Sequence, residues 1–333
     1  MKKIAAQIMA NITSSKRRNL VIFIPAFNEE VNISETVKRV PRKFDGIDEV
    51  KILVVDDGSS DETVKNARSA GAEVISHYSN AGVGVAFQSG LNWALKNKAD
   101  ILVNIDADGQ FNPADIQKLI GPILKDEADM VASARFSKGK PKNMSRVKYW
   151  GNKRMTSLIN FLSGKKFADV SSGFRAYNRE AMLNLNLFGK FTYTQEVFLD
   201  LSMKNLRIVQ IPVEVKYFKE RKSKVASNVL SYASKTFWII FRTIRDYKPL
   251  KFFGGIGLFI FTAGLLFDAV LFGHYILRGT FTPYISVGFI GAYLNSVGLG
   301  VIFLALVADM FDRMRINQEK ILYYEKKRLF EKE

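Results

Sequence analysis

Through its first 135 residues the chain alternates short, β-branched apolar runs with stretches of helical spacing, and few folds accommodate that order. "LVIFIPA" from Leu20, "VKILVVDD" from Val50, "AEVIS" from Ala72, "DILVNIDAD" from Asp100 and "DMVASA" from Asp129 read as strands. Between them, "EEVNISETVKRV", "SDETVKNARSA", "GVAFQSGLNWALKN" and "NPADIQKLIGPILK" carry the helical pattern. Asp61 and Asn112 are the expected N-caps, with Pro113 at a first helical position. Continuous Val/Ile runs need apolar cover on both faces, which helices crossing between parallel strands supply. The expected class is α/β with a mostly parallel sheet. Residues 136–228 are less regular: a basic loop, a helix near 149–162, a loop with Gly173, a helix near 195–204 and a strand "RIVQIPVEVKYF".

The last third changes character. Residues 252–277 and 284–308 are apolar runs about long enough to cross a ~30 Å hydrocarbon core, joined by "RGTFTP". Neither has a polar face, which favours a membrane hairpin over a buried helical pair in a soluble protein. The tail from Asp309 carries seven Lys or Arg, whereas the link carries only Arg278, so the tail and the N-terminal domain are placed in the cytosol. Asp268 lies sixteen residues into the first span, and Asn295 thirteen residues from the end of the second at Ala308. At about 1.5 Å per residue the offset is roughly one helical turn. A carboxylate in hydrocarbon is costly and usually finds a polar partner, so the two are expected to meet across the hairpin or to engage a neighbouring protomer; a shallow, hydrated Asp268 is the alternative.

Composition narrows the chemistry. The chain has 333 residues, no cysteine and two histidines, His77 and His274. That excludes disulfides and thiolate sites and leaves oxygen ligands, which suit magnesium or manganese. The net charge of +17 fits nucleic acid, an anionic membrane face or phosphorylated substrates. The excess peaks beside the spans, with ten Lys or Arg against two acids from Lys216 to Lys251, which favours a membrane surface and no nucleic acid. "SYASKTFWIIFRTIRDYKPLKFF" reads as a basic helix lying in the membrane interface or, alternatively, as an ordinary amphipathic helix on the soluble domain. Lys2 and Lys3 before "IAAQIMA" mimic a secretion signal, but Gln7, Asn11 and the cluster from Lys16 to Arg18 make this a cytosolic arm.

Ligands of an open parallel sheet bind beyond the carboxyl ends of its strands. Three acidic clusters fall there: "PAFNEE" with Asn28, Glu29 and Glu30, "VDDGSSDET" with Asp56 and Asp57, and "DADGQ" with Asp106 and Asp108. Each alone could be turn chemistry, but together they can grip a base, a ribose and a metal-bound diphosphate. The glycines from Gly82 to Gly90 are expected to let backbone approach a ligand at a helix start, although the full dinucleotide fingerprint and a Walker lysine are absent.

The series "PAFNEE", "VVDDGSSDET", "NAGVGVAFQSG", "DADGQF", "SSGFRAYNRE" and "ERKSKVASN" resembles the family 2 glycosyltransferases of GT-A fold, and within them the dolichyl-phosphate mannose synthase and polyprenyl-phosphate glycosyltransferase group. The likeness runs from about Leu20 to Phe253. It implies inverting transfer from a nucleotide sugar, GDP-mannose or a UDP-hexose, to a polyprenyl or dolichyl phosphate. Pro25, Ala26, Asn28, Glu29 and Gly82 would bind the donor, with Asp56 or Asp57 at base or ribose. Asp106 would face the sugar nucleotide, and Asp106, Asp108 and Gln110 would hold Mg2+ or Mn2+. Arg135, Arg146, Arg175, Arg221 and Lys224 are the candidates for the acceptor phosphate, and Asp106, Asp108, Arg135 and Arg221 for catalysis; Asp169 and Glu196 are possible helpers. Where relatives often carry Gly in the arginine-serine-lysine motif, this chain reads "RKSK".

The organisation expected is an arm over 1–18, a GT-A domain over 19–228, a juxtamembrane helix over 229–251, a hairpin over 252–308 and a cytosolic tail over 309–333. The protein would be multi-pass in the plasma membrane, touch membrane lipids, and have a route to a homo-oligomer through its spans. A processive polysaccharide synthase would add a Q-x-x-R-W segment and more spans. A nucleotidyltransferase would need a lysine-bearing glycine loop. Another membrane-bound family 2 enzyme and a non-catalytic GT-A-like scaffold are the remaining alternatives; the scaffold gives no reason to keep three acidic clusters.

Overall fold

The structure is a computed structural model that describes residues 17–137, 139–186, 193–217, 241, 245 and 248–331. Arg221, Lys224 and most of the arm and juxtamembrane segment lie outside them. Two compact units result.

The first unit is built on a seven-stranded sheet. Its strands are β1 (Asn19–Ala26), β2 (Glu49–Asp56), β3 (Glu73–Ser76), β4 (Ile101–Asn104), β5 (Met130–Ala134), β6 (Arg175–Asn178) and β7 (Ile208–Pro212). They lie in the order β3-β2-β1-β4-β6-β5-β7. All pairings are parallel except those of β6, which runs antiparallel between β4 and β5. Helices α1 (Ile33–Arg39), α2 (Thr63–Ser69), α3 (Val83–Lys96) and α4 (Ile116–Leu124) make the crossovers. α5 (Arg146–Ser163), α6 (Arg179–Asn184) and α7 (Tyr193–Met203) follow. Asn112 and Pro113 start the turn before α4 as the sequence anticipates, with Asn112 Oδ1 accepting from Ala114 N (3.3 Å). Asp61 sits one residue further out than expected, because α2 begins at Thr63, whose N–H still donates to Asp61 Oδ1 (3.0 Å).

The apolar runs form the core. Leu20, Ile22, Ile24, Val54, Val103 and Val131 are all buried in one cluster with Ile33, Val37, Ile116 and Leu119 from the covering helices. Each fully buried aliphatic side chain contributes about 1.5–3 kcal/mol. α3 packs close on β1 at Gly90, where an added Cβ would come within 2.6 Å of the Phe23 ring. Gly90 is therefore a packing residue and does not admit a ligand, a correction to the sequence reading. Since β1 and β4 flank the point where strand order reverses, the loops after β1, β2 and β4 open at one edge of the sheet. The end of the tail belongs to this unit: Lys326 Nζ donates to Leu185 O (2.7 Å) and Arg179 Nη2 to Phe330 O (2.9 Å).

The second unit holds helix α8 (Pro249–Arg278) and α9 (Ile285–Glu331) as far as Leu322, and both helices are long and apolar enough to cross a membrane. α9 outruns the apolar segment because the polar tail continues its helix. The helices touch where one supplies no side chain: a Cβ on Gly264 would meet Asn295, and one on Gly291 would meet Asp268. At this crossing Asn295 Nδ2 donates to Asp268 Oδ2, the contact expected from the residue count.

Candidate active site

The loops after β1 and β2 are tied to each other. Asn28, in the left-handed region at φ 53°, donates its N–H to Ser59 Oγ (2.8 Å) and accepts Ser60 N at Oδ1 (3.0 Å). Glu29 N donates to Thr63 Oγ1 (2.8 Å), and Glu29 Oε2 accepts from Asn32 Nδ2 (2.9 Å). Pro25 and Ala26 end β1, with Ala26 in register with Asp56. Asp56 is buried and takes Ser59 N at Oδ1 (3.1 Å).

Asp57 has a different task. Its Oδ1 accepts Ala81 N (3.0 Å) and contacts His77 Nδ1 (2.8 Å), while Oδ2 accepts Gly82 N (2.8 Å). Both oxygens are thus committed to shaping the entry to α3, where Gly82 adopts φ 98°. Of the two adjacent acids that the sequence left open, Asp57 holds a loop.

Asp106 and Asp108 follow β4, separated by the buried Ala107, whose carbonyl accepts from Thr36 Oγ1 (3.0 Å). Asp108 Oδ1 accepts Gln110 N (3.1 Å), and Gln110 O accepts Lys216 N (3.0 Å). The Asp106 carboxylate lies flat against Gly173, where a Cβ would stand 3.0 Å from both of its oxygens. Burial and the neighbouring charge of Asp108 push the Asp106 pKa up to about 7, against the pull of Arg135 and Arg175. The loop carrying Gly173 is held from behind: Asn104 Nδ2 donates to Gly173 O and to Tyr193 Oη, both at 2.8 Å. Burial and the charge of Asp106 raise the Tyr193 pKa, keeping its phenol neutral.

Among the described residues no cluster of three acids or histidines gathers as a complete metal cage. Two neighbouring carboxylates, one of which burial and the charge of the other hold toward its protonated form, suit a hard divalent cation completed by substrate phosphates.

A cationic group lies within electrostatic reach of these acids. Asp169 is 0 % exposed and grips Arg135 with both oxygens, at 2.7 Å to Nε and 3.0 Å to Nη2. It also takes Ser171 N (2.9 Å), so Asp169 positions Arg135 and has no free face for a sugar. Arg135 Nη1 reaches Tyr217 Oη (3.3 Å). Over the Tyr217 ring, 5.4 Å from its centre, lies the Lys148 ammonium from the first turn of α5. Lost hydration and the charge of Arg135 lower the Lys148 pKa, while Asp108 raises it.

Lys148, Tyr217 and Gly173 are the participants that sequence reasoning missed. The basic loop signalled the region, but only the helix start at the Ser145 cap fixes which cation of α5 lies over the Tyr217 ring. Arg175 is the clearest correction. It is 0 % exposed, donates to Ser172 O (2.7 Å) and Val170 O (3.1 Å), and stacks on Phe198 (4.7 Å). It braces the loop against Asp106 and adds positive potential there, and its buried guanidinium offers no exposed surface to an acceptor phosphate. Arg146 is exposed at the start of α5, and Glu196 is half-buried on α7.

The sequence profile of glycosyl transferase family 2 matches residues 21–185. The chain is 33 % identical over 219 residues to the UDP-N-acetylglucosamine–dolichyl-phosphate N-acetylglucosaminyltransferase of Methanococcus voltae, covering 60 % of this chain and 86 % of that one. It is 30 % identical over 226 residues to the polyprenol monophosphomannose synthase of Mycolicibacterium smegmatis, covering 63 % and 80 %. Among solved structures, glucosyl-3-phosphoglycerate synthase from Mycobacterium tuberculosis, crystallised with Mn2+ and UDP, superposes with a TM-score of 0.52 at 23 % identity, over 71 % of this chain and 82 % of that one. The sheet is that of the GT-A fold. The chain belongs to glycosyltransferase family 2 and is an enzyme of that class.

Proposed function

We propose that the chain transfers a sugar, with inversion, from GDP-mannose or a UDP-hexose to a polyprenyl or dolichyl phosphate at the cytosolic face of the plasma membrane. The observation that carries this reading is the cationic pair Arg135 and Lys148 set beside the carboxylates Asp106 and Asp108 in a chain with two membrane-length helices. The relatives named for dolichyl and polyprenol phosphates support the acceptor class.

On the donor side, Pro25, Ala26, Asn28, Glu29 and Asp56 form the nucleoside pocket, and Asp57 acts through the Gly82 turn. Asp106, Asp108 and Gln110 hold Mg2+ or Mn2+, which when bound supplies positive charge opposite the leaving nucleoside diphosphate. On the acceptor side, Arg135 and Lys148 bind the phosphate, with Arg146, exposed at the start of α5, as a further cation for its approach and Arg221 and Lys224 in the segment outside the described residues. A phosphate oxygen is already anionic, so attack on the anomeric carbon needs alignment more than a strong base. Asp169 keeps the Arg135 fork in one orientation for that alignment.

The test incubates membranes containing the protein with a panel of labelled nucleotide sugars, with and without added polyprenyl phosphate. Label entering an acid-labile lipid from one donor is the expected result. Label found only in water-soluble or polymeric product would refute the acceptor assignment.

A further inference from the structure

Helix α5 has a second face that the site does not use. Gly151, Asn152, Met155, Thr156, Ile159 and Leu162 are buried against the unit. On the other side, Val147, Trp150, Arg154, Ser157 and Phe161 recur at spacings of three, four, three and four, which aligns them in one stripe. Val147 is 53 % exposed, Trp150 61 % and Phe161 74 %. Arg146 and Lys153 are exposed beside the stripe, and the Arg154 guanidinium lies 5.3 Å from the Trp150 ring centre.

The charge here is one-sided. Between Met130 and Ala168 the sequence has ten Lys or Arg and no acid. An ordinary solvated helix face mixes signs and does not present a tryptophan and a phenylalanine along its length. A helix with basic residues around an aromatic stripe matches the headgroup region of an anionic bilayer, where aromatic rings enter the acyl boundary and cations meet phosphates.

We infer that the outer face of α5 is a membrane-contact surface of the catalytic unit, seated on anionic lipid headgroups. The consequence is functional. The same helix carries Lys148 on its first turn, so contact along this face holds the anion-binding end of α5 at the level where a lipid phosphate lies. The inference needs only a bilayer and does not depend on which sugar or acceptor the enzyme uses.

The absence of cysteine makes the test direct. Trp150→Cys, Ser157→Cys and Phe161→Cys, each labelled with a nitroxide, are reconstituted as full-length protein in phosphatidylcholine vesicles with and without phosphatidylglycerol. Lys65→Cys on α2, whose side chain is 77 % exposed, serves as the aqueous control. Ser157→Cys changes almost no volume, so at least one site reports on an unperturbed fold. The expected result is a severalfold higher ratio of oxygen to aqueous nickel accessibility at the three α5 sites than at Lys65. Phosphatidylglycerol should raise that ratio, and Lys153→Glu with Arg154→Glu should abolish the rise. Accessibility equal to that of the Lys65 site overturns the inference. Protection from both relaxation agents also overturns it, because it means that protein, such as a second copy, covers the face.

Discussion

Gly173→Ala probes the site with one carbon. The added Cβ would stand 3.0 Å from both Asp106 oxygens, where carbon–oxygen contacts settle at about 3.3–3.6 Å. Asp106 must therefore retreat by a few tenths of an ångström, or the loop braced by Arg175 must lift. Overpacking of this kind costs roughly 1–3 kcal/mol. Gly173 does not adopt a positive φ, so alanine fits the backbone and returns about 0.4–1 kcal/mol through the unfolded chain. The net loss of stability is about 1 kcal/mol. A catalytic loss should accompany it, since misplacement by about 1 Å can cost 10²-fold, and a shift of a third of that predicts roughly a fivefold fall in kcat/KM with weaker Mn2+ binding. Gly121→Ala in α4 is the control, because nothing lies within 4 Å of its added Cβ; it should stabilise by about 0.5–1 kcal/mol and leave turnover unchanged. The assays are thermal melting, Mn2+ titration and initial rates. Wild-type rates and Mn2+ affinity in Gly173→Ala would refute the placement of Asp106 as a ligand wedged under the loop.

Lys148→Ala should raise the KM for lipid phosphate about tenfold or more while leaving donor KM near wild type, with partial recovery in Lys148→Arg; steady-state kinetics in detergent checks this. A second expectation follows from Asp106. Its folded pKa of about 7 stands above the ordinary 3.8, so the folded state favours the proton, and the stability this gives is lost as pH rises from about 4 through about 7. A divalent cation competes with that proton, so the thermal shift produced by Mg2+ or Mn2+ should be small near pH 5 and grow through about 7. A pH-independent shift would contradict it. In the hairpin, Asp268→Leu and Asn295→Leu should be non-additive by roughly 0.6 kcal/mol or more in a double-mutant cycle in detergent; additive effects would mean that the crossing does not depend on their hydrogen bond.

What the sequence discloses and what it hides follow the range of the interactions involved. Strands β1, β2 and β4 were legible because each buries a continuous run of Val, Ile and Leu, and Asp106 with Asp108 because their proximity is written in closely spaced residues. The Asp268–Asn295 contact was legible for a similar reason: a six-residue link fixes the register of two straight helices. Arg175 was misread because its environment is non-local. It pairs with Asn104 on a strand that enters between β4 and β5 from far along the chain, and only that insertion puts it in the interior. Asp56 and Asp57 look equivalent as neighbours, yet Asp57 turns toward Ala81 and Gly82, more than twenty residues on. Lys148 is one cation among many until a cap and a facing tyrosine select it.

The most direct measurement of the central claim is sugar transfer to polyprenyl phosphate by wild type and Asp108→Asn, each with Mn2+ and with EDTA. The substitution removes a charged ligand with little change of shape. The account predicts transfer by wild type only with the metal, and a fall of about 10²-fold in Asp108→Asn with the soluble unit still folded. Full transfer by Asp108→Asn in EDTA would contradict it.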